Sequence, residues 1–182
     1  MTDKQIVQSV LDGNTTSFGL LVESYQRPVF SLVYRAVNDR SAASDITQDS
    51  FVKAYKKLAS FDLDKRFFSW IVAIAMNTTK DWLRKNGRYE QVFVNDTEAV
   101  ESLAQSGDVQ EEMCAVLDAK KVNLAIDELP FLYQQTLILR FREELTIAEI
   151  SEALGISQSG VKMRISRGLA MIKKKFKGGE YE

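Results

Sequence analysis

Residues 146–169 read TIAEISEALGISQSGVKMRISRGL, and their punctuation decides the fold of the C-terminal half. Thr146 is a good N-cap, and Glu149 three residues later completes a capping-box pattern. Ile147, Ile150 and Leu154 form one apolar stripe, so the first half predicts a short helix. Gly155 is suited to the left-handed residue that ends it, and Ile156 can plug the junction. Ser157 then caps a second helix whose inward row is Val161, Ile165, Leu169, Ile172 and Phe176. Its other side carries Lys162, Met163, Ser166, Arg167, Lys173 and Lys174. Two helices joined by a tight glycine turn, the second one basic, predict a helix-turn-helix whose second helix enters a major groove. The capped N-terminus of that helix adds a favourable end for a phosphate. An αα-hairpin that serves packing alone is the alternative. The run Lys162, Arg164, Arg167, Lys173, Lys174, Lys175, Lys177 contains no acid and favours DNA.

Outward from this motif, the charge is unevenly spread. The chain has 182 residues and a net charge of −1. Residues 1–88 carry 13 Lys/Arg against 9 Asp/Glu, residues 89–119 carry 8 acids and no base, and residues 120–182 carry 11 bases against 8 acids. Two cationic modules on an acidic tether suit a polyanion contacted at two places; a solvated acidic loop is the plainer account of the tether itself. There is no histidine, which removes the commonest general base and metal ligand, so a hydrolase or metalloenzyme is disfavoured and no cofactor or metal is expected. The single cysteine, Cys114, gives no disulfide framework and points to a reducing, cytoplasmic setting. No apolar run approaches the ~20 residues of a membrane helix, so membrane insertion is not expected.

In the front half, Phe18, Leu21, Val22 and Tyr25 share one helical face, and Pro28 starts or kinks a helix carrying Val29, Leu32, Val33, Ala36 and Val37. Ser41 is a candidate N-cap for a helix over 41–58 that buries Ile46, Phe51, Ala54, Tyr55 and Leu58. The polar loop SFDLDKR (60–66) precedes a helix over 67–85. On that helix Trp70, Asn77, Asp81 and Arg84 share a face that Arg88 extends; Phe67, Ile71, Ile74 and Thr78 share another. Aromatic rings beside Asn and Arg, with Phe61 and Phe68 close by, suit melted DNA, where bases stack on rings. Core packing is the other role open to Trp70, Phe67 and Phe68. Periodicity fades over 87–107, and a helix over 124–142 then carries Pro130 early, with Leu132, Leu137, Ile138 and Phe141 on its apolar face. The fold class is therefore all-α: an N-terminal helical bundle and a C-terminal helix-turn-helix domain joined by a flexible acidic linker.

Three stretches in order, ASDITQDSFVKAY (43–55), FFSWIVAIAMNTTKDWLRK (67–85) and ELPFLYQQTLILRFREELTIAEISEALGISQSGVKMRISRGLAMIKKKF (128–176), give the chain a specific resemblance. It resembles a bacterial RNA polymerase sigma factor of the extracytoplasmic-function class over nearly its whole length. The resemblance implies a promoter-melting, polymerase-binding domain over 1–88, an acidic linker over 89–119 and a promoter-binding helix-turn-helix domain over 120–182. It implies core RNA polymerase (its β and β′ subunits), promoter DNA and an anti-sigma factor as partners, and no enzymatic activity.

Carried onto residues, the resemblance puts Asp45, Gln48, Asp49, Val52 and Lys56 against the clamp helices of β′; a solvated helix face is the alternative. It gives the loop Phe61, Asp62, Asp64, Lys65 and Arg66 the capture of a flipped base of the −10 element, with Asn77, Lys80, Arg84 and Arg88 on the adjoining backbone. Ser157, Lys162, Met163, Arg164, Ser166, Arg167, Lys173 and Lys174 would serve the −35 element. The acidic linker would thread the RNA exit region. The sequence departs from the family pattern at Glu143–Glu144, where a glycine is frequent, at Ser151, where alanine is usual, and in the tail GGEYE. A stand-alone helix-turn-helix regulator is the competing class, and the two differ in whether the protein engages polymerase.

Overall fold

The computed structural model describes residues 1–93 and 119–177; the acidic run from 94 to 118, with Cys114, and the tail GGEYE lie outside them. The described residues form helices with no strand among them, and they divide into one unit of Met1–Arg88 with Glu152–Gly155 and a second that begins at Tyr89 and takes in the rest.

The N-terminal unit opens with α1 (Asp3–Leu11), started by a reciprocal capping box between Thr2 and Gln5 and burying Ile6, Val7 and Val10. A single 3-10 turn leads into α2 (Phe18–Val37). Pro28 neither starts nor breaks this helix: α2 runs through it, and the carbonyl one turn back, on Ser24, lies at an exposed residue where water can serve it. Left-handed Asn38 (φ 49°) ends α2, and Asp39 at once caps α3 (Arg40–Lys57) by accepting from the Ala42 amide at 3.0 Å. The cap is thus Asp39 and not Ser41, because only two residues separate the helices. After a short turn and the loop 61–66 comes α4 (Phe67–Lys85), with the bounds its sequence predicts.

Leu21, Val29, Val33, Ala43, Phe67, Ile71 and Leu83 are fully buried where α2, α3 and α4 meet. Buried hydroxyls do not interrupt this core. Thr47, Ser50 and Thr79 each donate to the carbonyl four residues back, at 2.6–2.7 Å. Tyr55, which the helical pattern places inside, is instead 42% exposed, its ring edge-on to Phe18 at 5.2 Å.

The C-terminal unit begins with α5 (Tyr89–Phe93), whose Phe93 ring meets Phe131 edge-on at 5.6 Å. Residues 89–93, which the sequence assigns to the linker, therefore belong to a packed helix. Helix α6 (Ala119–Asp127) and α7 (Phe131–Leu137) replace the single helix read over 124–142. Pro130 is in extended backbone (φ −52°, ψ 141°) and serves as the N-cap of α7, and the residue before a proline resists the helical conformation. Gln134 bridges the break by donating from Nε2 to the Asp127 carbonyl at 3.0 Å.

Helix α7 continues into a π-helical turn, Ile138–Arg142. Such a turn departs from the 3.6-residue spacing on which the apolar pattern rests. Phe141, expected on the apolar face, lies within it and is 39% exposed. The chain reverses at Glu144, whose φ is +54°, and buried Leu145 then donates from its amide to the Leu139 carbonyl at 2.9 Å. Glycine suits this turn for a physical reason: a Cβ in the left-handed region costs about 1 kcal/mol. Glu144→Gly should therefore raise stability by about 1 kcal/mol, reduced somewhat by the freer unfolded chain, and read as a higher urea midpoint at unchanged m-value.

Helix α8 (Ile147–Leu154) and α9 (Gln158–Lys177) follow. The α7–α9 approach is close at Gly168, where an added Cβ would lie 3.0 Å from Leu137 Cδ1 and 3.4 Å from Tyr133 Cβ. Gly168→Val should cost about 1–3 kcal/mol by overpacking, measured by the same denaturation curve.

Candidate nucleic-acid interface

The loop between α3 and α4 is built around Asp62. Its Oδ1 accepts the Asp64 amide at 3.0 Å, and its carbonyl accepts the Lys65 amide at 3.0 Å, a turn held by its own first residue. Asp62, Asp64, Lys65 and Arg66 are exposed. Phe61 is not: it is 8% exposed, with its ring 5.0 Å from Trp70 and 5.7 Å from Phe67. Phe67 and Phe68 are buried as well, and Trp70 is half-buried. The rings read as a stacking platform for bases are thus the floor beneath the loop. The groups that the loop offers are carboxylates and cations.

Along α4, Asn77 and Arg84 are exposed and Lys80 is half-buried, and Arg84 Nη1 meets Asp81 Oδ1 at 3.1 Å. Arg88 differs from the others in its row. Its Nη1 donates to the Val37 carbonyl at 2.9 Å, so it closes the end of α2 and is half-buried doing so.

The outward row of α3 is continuous. Asp45, Gln48, Asp49, Val52 and Lys56 are all exposed at spacings of three and four, with Val52 at 44%. Asp49 pairs with Lys53 at 2.8 Å, and Lys53 also reaches Thr78 Oγ1 at 3.1 Å. Beside this row lies a groove of about 880 Å³ floored by Phe18, Phe30 and Phe51 and edged by Arg27 and Arg40.

In the helix-turn-helix the local chemistry matches the residues. Thr146 and Glu149 exchange reciprocal capping bonds, Gly155 has φ +66°, and Ser157 Oγ accepts the Gly160 amide at 3.1 Å. Ser151, where alanine is usual, spans the turn: its Oγ donates to the Ile156 carbonyl at 2.6 Å while the Ile156 amide donates to the Ser151 carbonyl at 3.2 Å. Val161, Ile165, Leu169 and Ile172 are buried, and Phe176 is half-buried. Ser157, Lys162, Met163, Ser166, Lys173 and Lys174 are exposed and Arg167 is half-exposed.

Arg164 stands on a different face of α9. It shares the row of Gly168, which abuts α7, and burial lowers its guanidinium from the ordinary value while Tyr133 of α7 opposes that shift. Lys175 continues the row and pairs with Glu128 at 2.5 Å. Two members of the acid-free run therefore lie toward the domain itself, and a count of charges could not separate them from the rest.

Helix α1 escaped the reading of the sequence. Its signals were present: Thr2 and Gln5 at capping-box spacing, then Ile6, Val7 and Val10.

A helical protein with an exposed basic recognition helix and a separate helical unit presenting a polar loop is a DNA-binding transcription factor in architecture. Comparison with known proteins makes this specific. Residues 21–89 match Sigma-70 region 2, and residues 119–172 match Sigma-70 region 4. The ECF RNA polymerase sigma factor SigW of Bacillus subtilis is 31% identical over 183 residues, covering 97% of this chain and 98% of that one. The ECF RNA polymerase sigma-E factor of Haemophilus influenzae is 32% identical, covering 96% and 95%, and the RNA polymerase sigma-H factor of Pseudomonas aeruginosa is 33% identical, covering 94% and 92%. Among solved structures, CnrH in complex with the cytosolic domain of CnrY shares the fold at a TM-score of 0.61 and 21% identity, covering 97% of each chain. The chain belongs to the extracytoplasmic-function family of RNA polymerase sigma factors. It is a promoter-recognising transcription initiation factor.

Proposed function

We propose that this sigma factor binds core RNA polymerase through the outward row of α3, opens the −10 element with the loop 62–66 and α4, and reads the −35 element with α9. The observation that carries this division of labour is that each of the three surfaces is exposed and chemically distinct. One is an acidic and apolar row, one a mixed polar loop and one a basic helix face. Residues 1–88 form the melting and polymerase-binding domain, and the helix-turn-helix comes after the acidic linker, which starts after Phe93 and threads the RNA exit region. The chain supplies no catalysis of its own; polymerase does the synthesis.

The setting is the bacterial cytoplasm, where polymerase works, and no helix among the described residues is long and apolar enough to cross a membrane. An anti-sigma factor is the expected regulator. RpoE of Bartonella quintana, of like fold (TM-score 0.61, 21% identity), was solved in complex with the anti-sigma factor NepR. Reconstitution with core polymerase and mapping of transcript 5′ ends tests the whole reading. Start sites that share spaced −10 and −35 sequences support it; a chain that binds duplex DNA but never co-elutes with core enzyme is a stand-alone regulator instead.

Within α9, Arg167 and the two exposed lysines should separate. Arg167→Ala should cost ~1–3 kcal/mol and relax preference at one promoter position, as removal of a base-edge hydrogen bond does. Replacing Lys173 and Lys174 should weaken binding evenly across sequences and flatten the salt dependence by about 0.9 for each phosphate no longer neutralised. Binding titrations on a promoter library at several salt concentrations check both.

A further inference from the structure

Helix α1 lies ahead of the segment that matches Sigma-70 region 2, which begins at residue 21, yet it is tied directly to the loop 61–66 and its base. The Tyr25 hydroxyl donates to Asp3 Oδ2 at 2.5 Å. The Tyr25 ring lies 5.7 Å from Phe67 and 5.5 Å from Phe68, the two residues immediately after the loop. On the outer side Lys4 Nζ reaches Asp64 Oδ1 at 3.1 Å. The helix that carries Asp3 and Lys4 is itself fixed, by its capping box, by Ile6, Val7 and Val10 in the core, and by the Ser9–Ser17 hydroxyl contact at 3.1 Å. Burial, then the Asp3 carboxylate, raises the Tyr25 proton affinity, with Arg66 opposing, so Tyr25 remains a donor at neutral pH.

We infer that α1 is a brace for the promoter-opening loop: Asp3 acting through Tyr25, and Lys4 acting through Asp64, are positioning residues that hold 62–66 in shape before DNA arrives. This rests on the reading of that loop as the base-capturing element. A loop ordered in advance loses less freedom when it binds, so the brace acts on promoter opening and not on polymerase or duplex affinity. The two ties are unequal. The Lys4–Asp64 pair is exposed on both sides and is screened by salt, whereas the Tyr25–Asp3 bond is partly buried and persists.

The test uses the full chain. Tyr25→Phe keeps the ring packing and removes only the hydroxyl, and Lys4→Gln removes only the charge, so neither opens the core. Together they should raise amide exchange at Asp64 and Lys65 by about ten-fold, the sum of two modest ties, with exchange in the middle of α4 unchanged. In holoenzyme the same pair should slow permanganate-detected opening by a similar factor while closed-complex affinity stays at the parental value. Lys4→Arg in place of Lys4→Gln should recover the Lys4 share. Parental exchange at both amides overturns the brace. So does parental opening by the double variant where a Gly-Ser replacement of 62–66 fails to open. If that loop replacement itself opens duplex promoters normally, the loop reading falls and the inference with it.

Discussion

Reversing Asp45 and Asp49 to lysine should abolish holoenzyme formation while leaving the N-terminal unit folded. Both side chains lie on the exposed row of α3 and neither contributes to the core beneath it, which Ile46, Phe51 and Ala54 fill. The local cost is small. Asp49→Lys breaks an exposed i,i+4 pair with Lys53 and replaces it with a like-charge pair, a change of about 0.5–1 kcal/mol in a helix otherwise well anchored. Across an interface the same reversal is far larger, because a pair of charges chosen to be complementary becomes a pair that repels, at several kcal/mol. Co-elution with core polymerase measures the outcome, and circular dichroism with a melting curve establishes that the fold survived. Normal co-elution of the folded double variant would move the polymerase contact off this row. The groove floored by Phe18, Phe30 and Phe51 would then be the next surface on the same unit to test.

The sequence makes the helix-turn-helix legible almost atom by atom, because caps and a left-handed glycine are local chemistry: Thr146–Glu149, Gly155 and Ser157 each act through neighbours within four residues. What it obscures is set by contacts at long range. Whether Phe61 faces water or Trp70 depends on how α4 returns under the loop, and a polar stretch containing a ring is compatible with either. Arg164 and Arg167 differ by three positions on one helix, yet only the side of α7 decides that Arg164 is drawn inward. Arg88 reads as an exposed cation at the end of a row, but the Val37 carbonyl at the end of α2 claims it. Pro130 and the π-helical turn defeat the single helix read over 124–142 for a different reason: the proline divides it into α6 and α7, and the wider turn changes the residue spacing at its end.

Replacing residues 62–66 by a Gly-Ser linker of equal length should abolish open-complex formation while sparing the closed complex. The structure fixes where the replacement must begin. Phe61 is part of the aromatic floor with Phe67 and Trp70 and has to stay, or loss of core packing would be mistaken for loss of function. Beyond it, the exposed loop holds two carboxylates that can accept from base amino groups and two cations that can hold the flanking phosphates. Unstacking a base from duplex costs a few kcal/mol, and a captured base must offset that cost within the protein. A Gly-Ser linker offers neither charge nor a fixed shape, since it also discards the turn that Asp62 organises with the amides of Asp64 and Lys65. None of these groups is needed to read duplex at the −35 site, so binding of closed promoter should be unchanged. Permanganate footprinting reports the melted thymines directly. A premelted bubble template should restore transcription only in part, because it removes the unstacking cost but not the loss of base capture. Opening of duplex promoters at the parental rate would make residues 62–66 a connector and assign base capture to the exposed Asn77–Arg84 face of α4 instead.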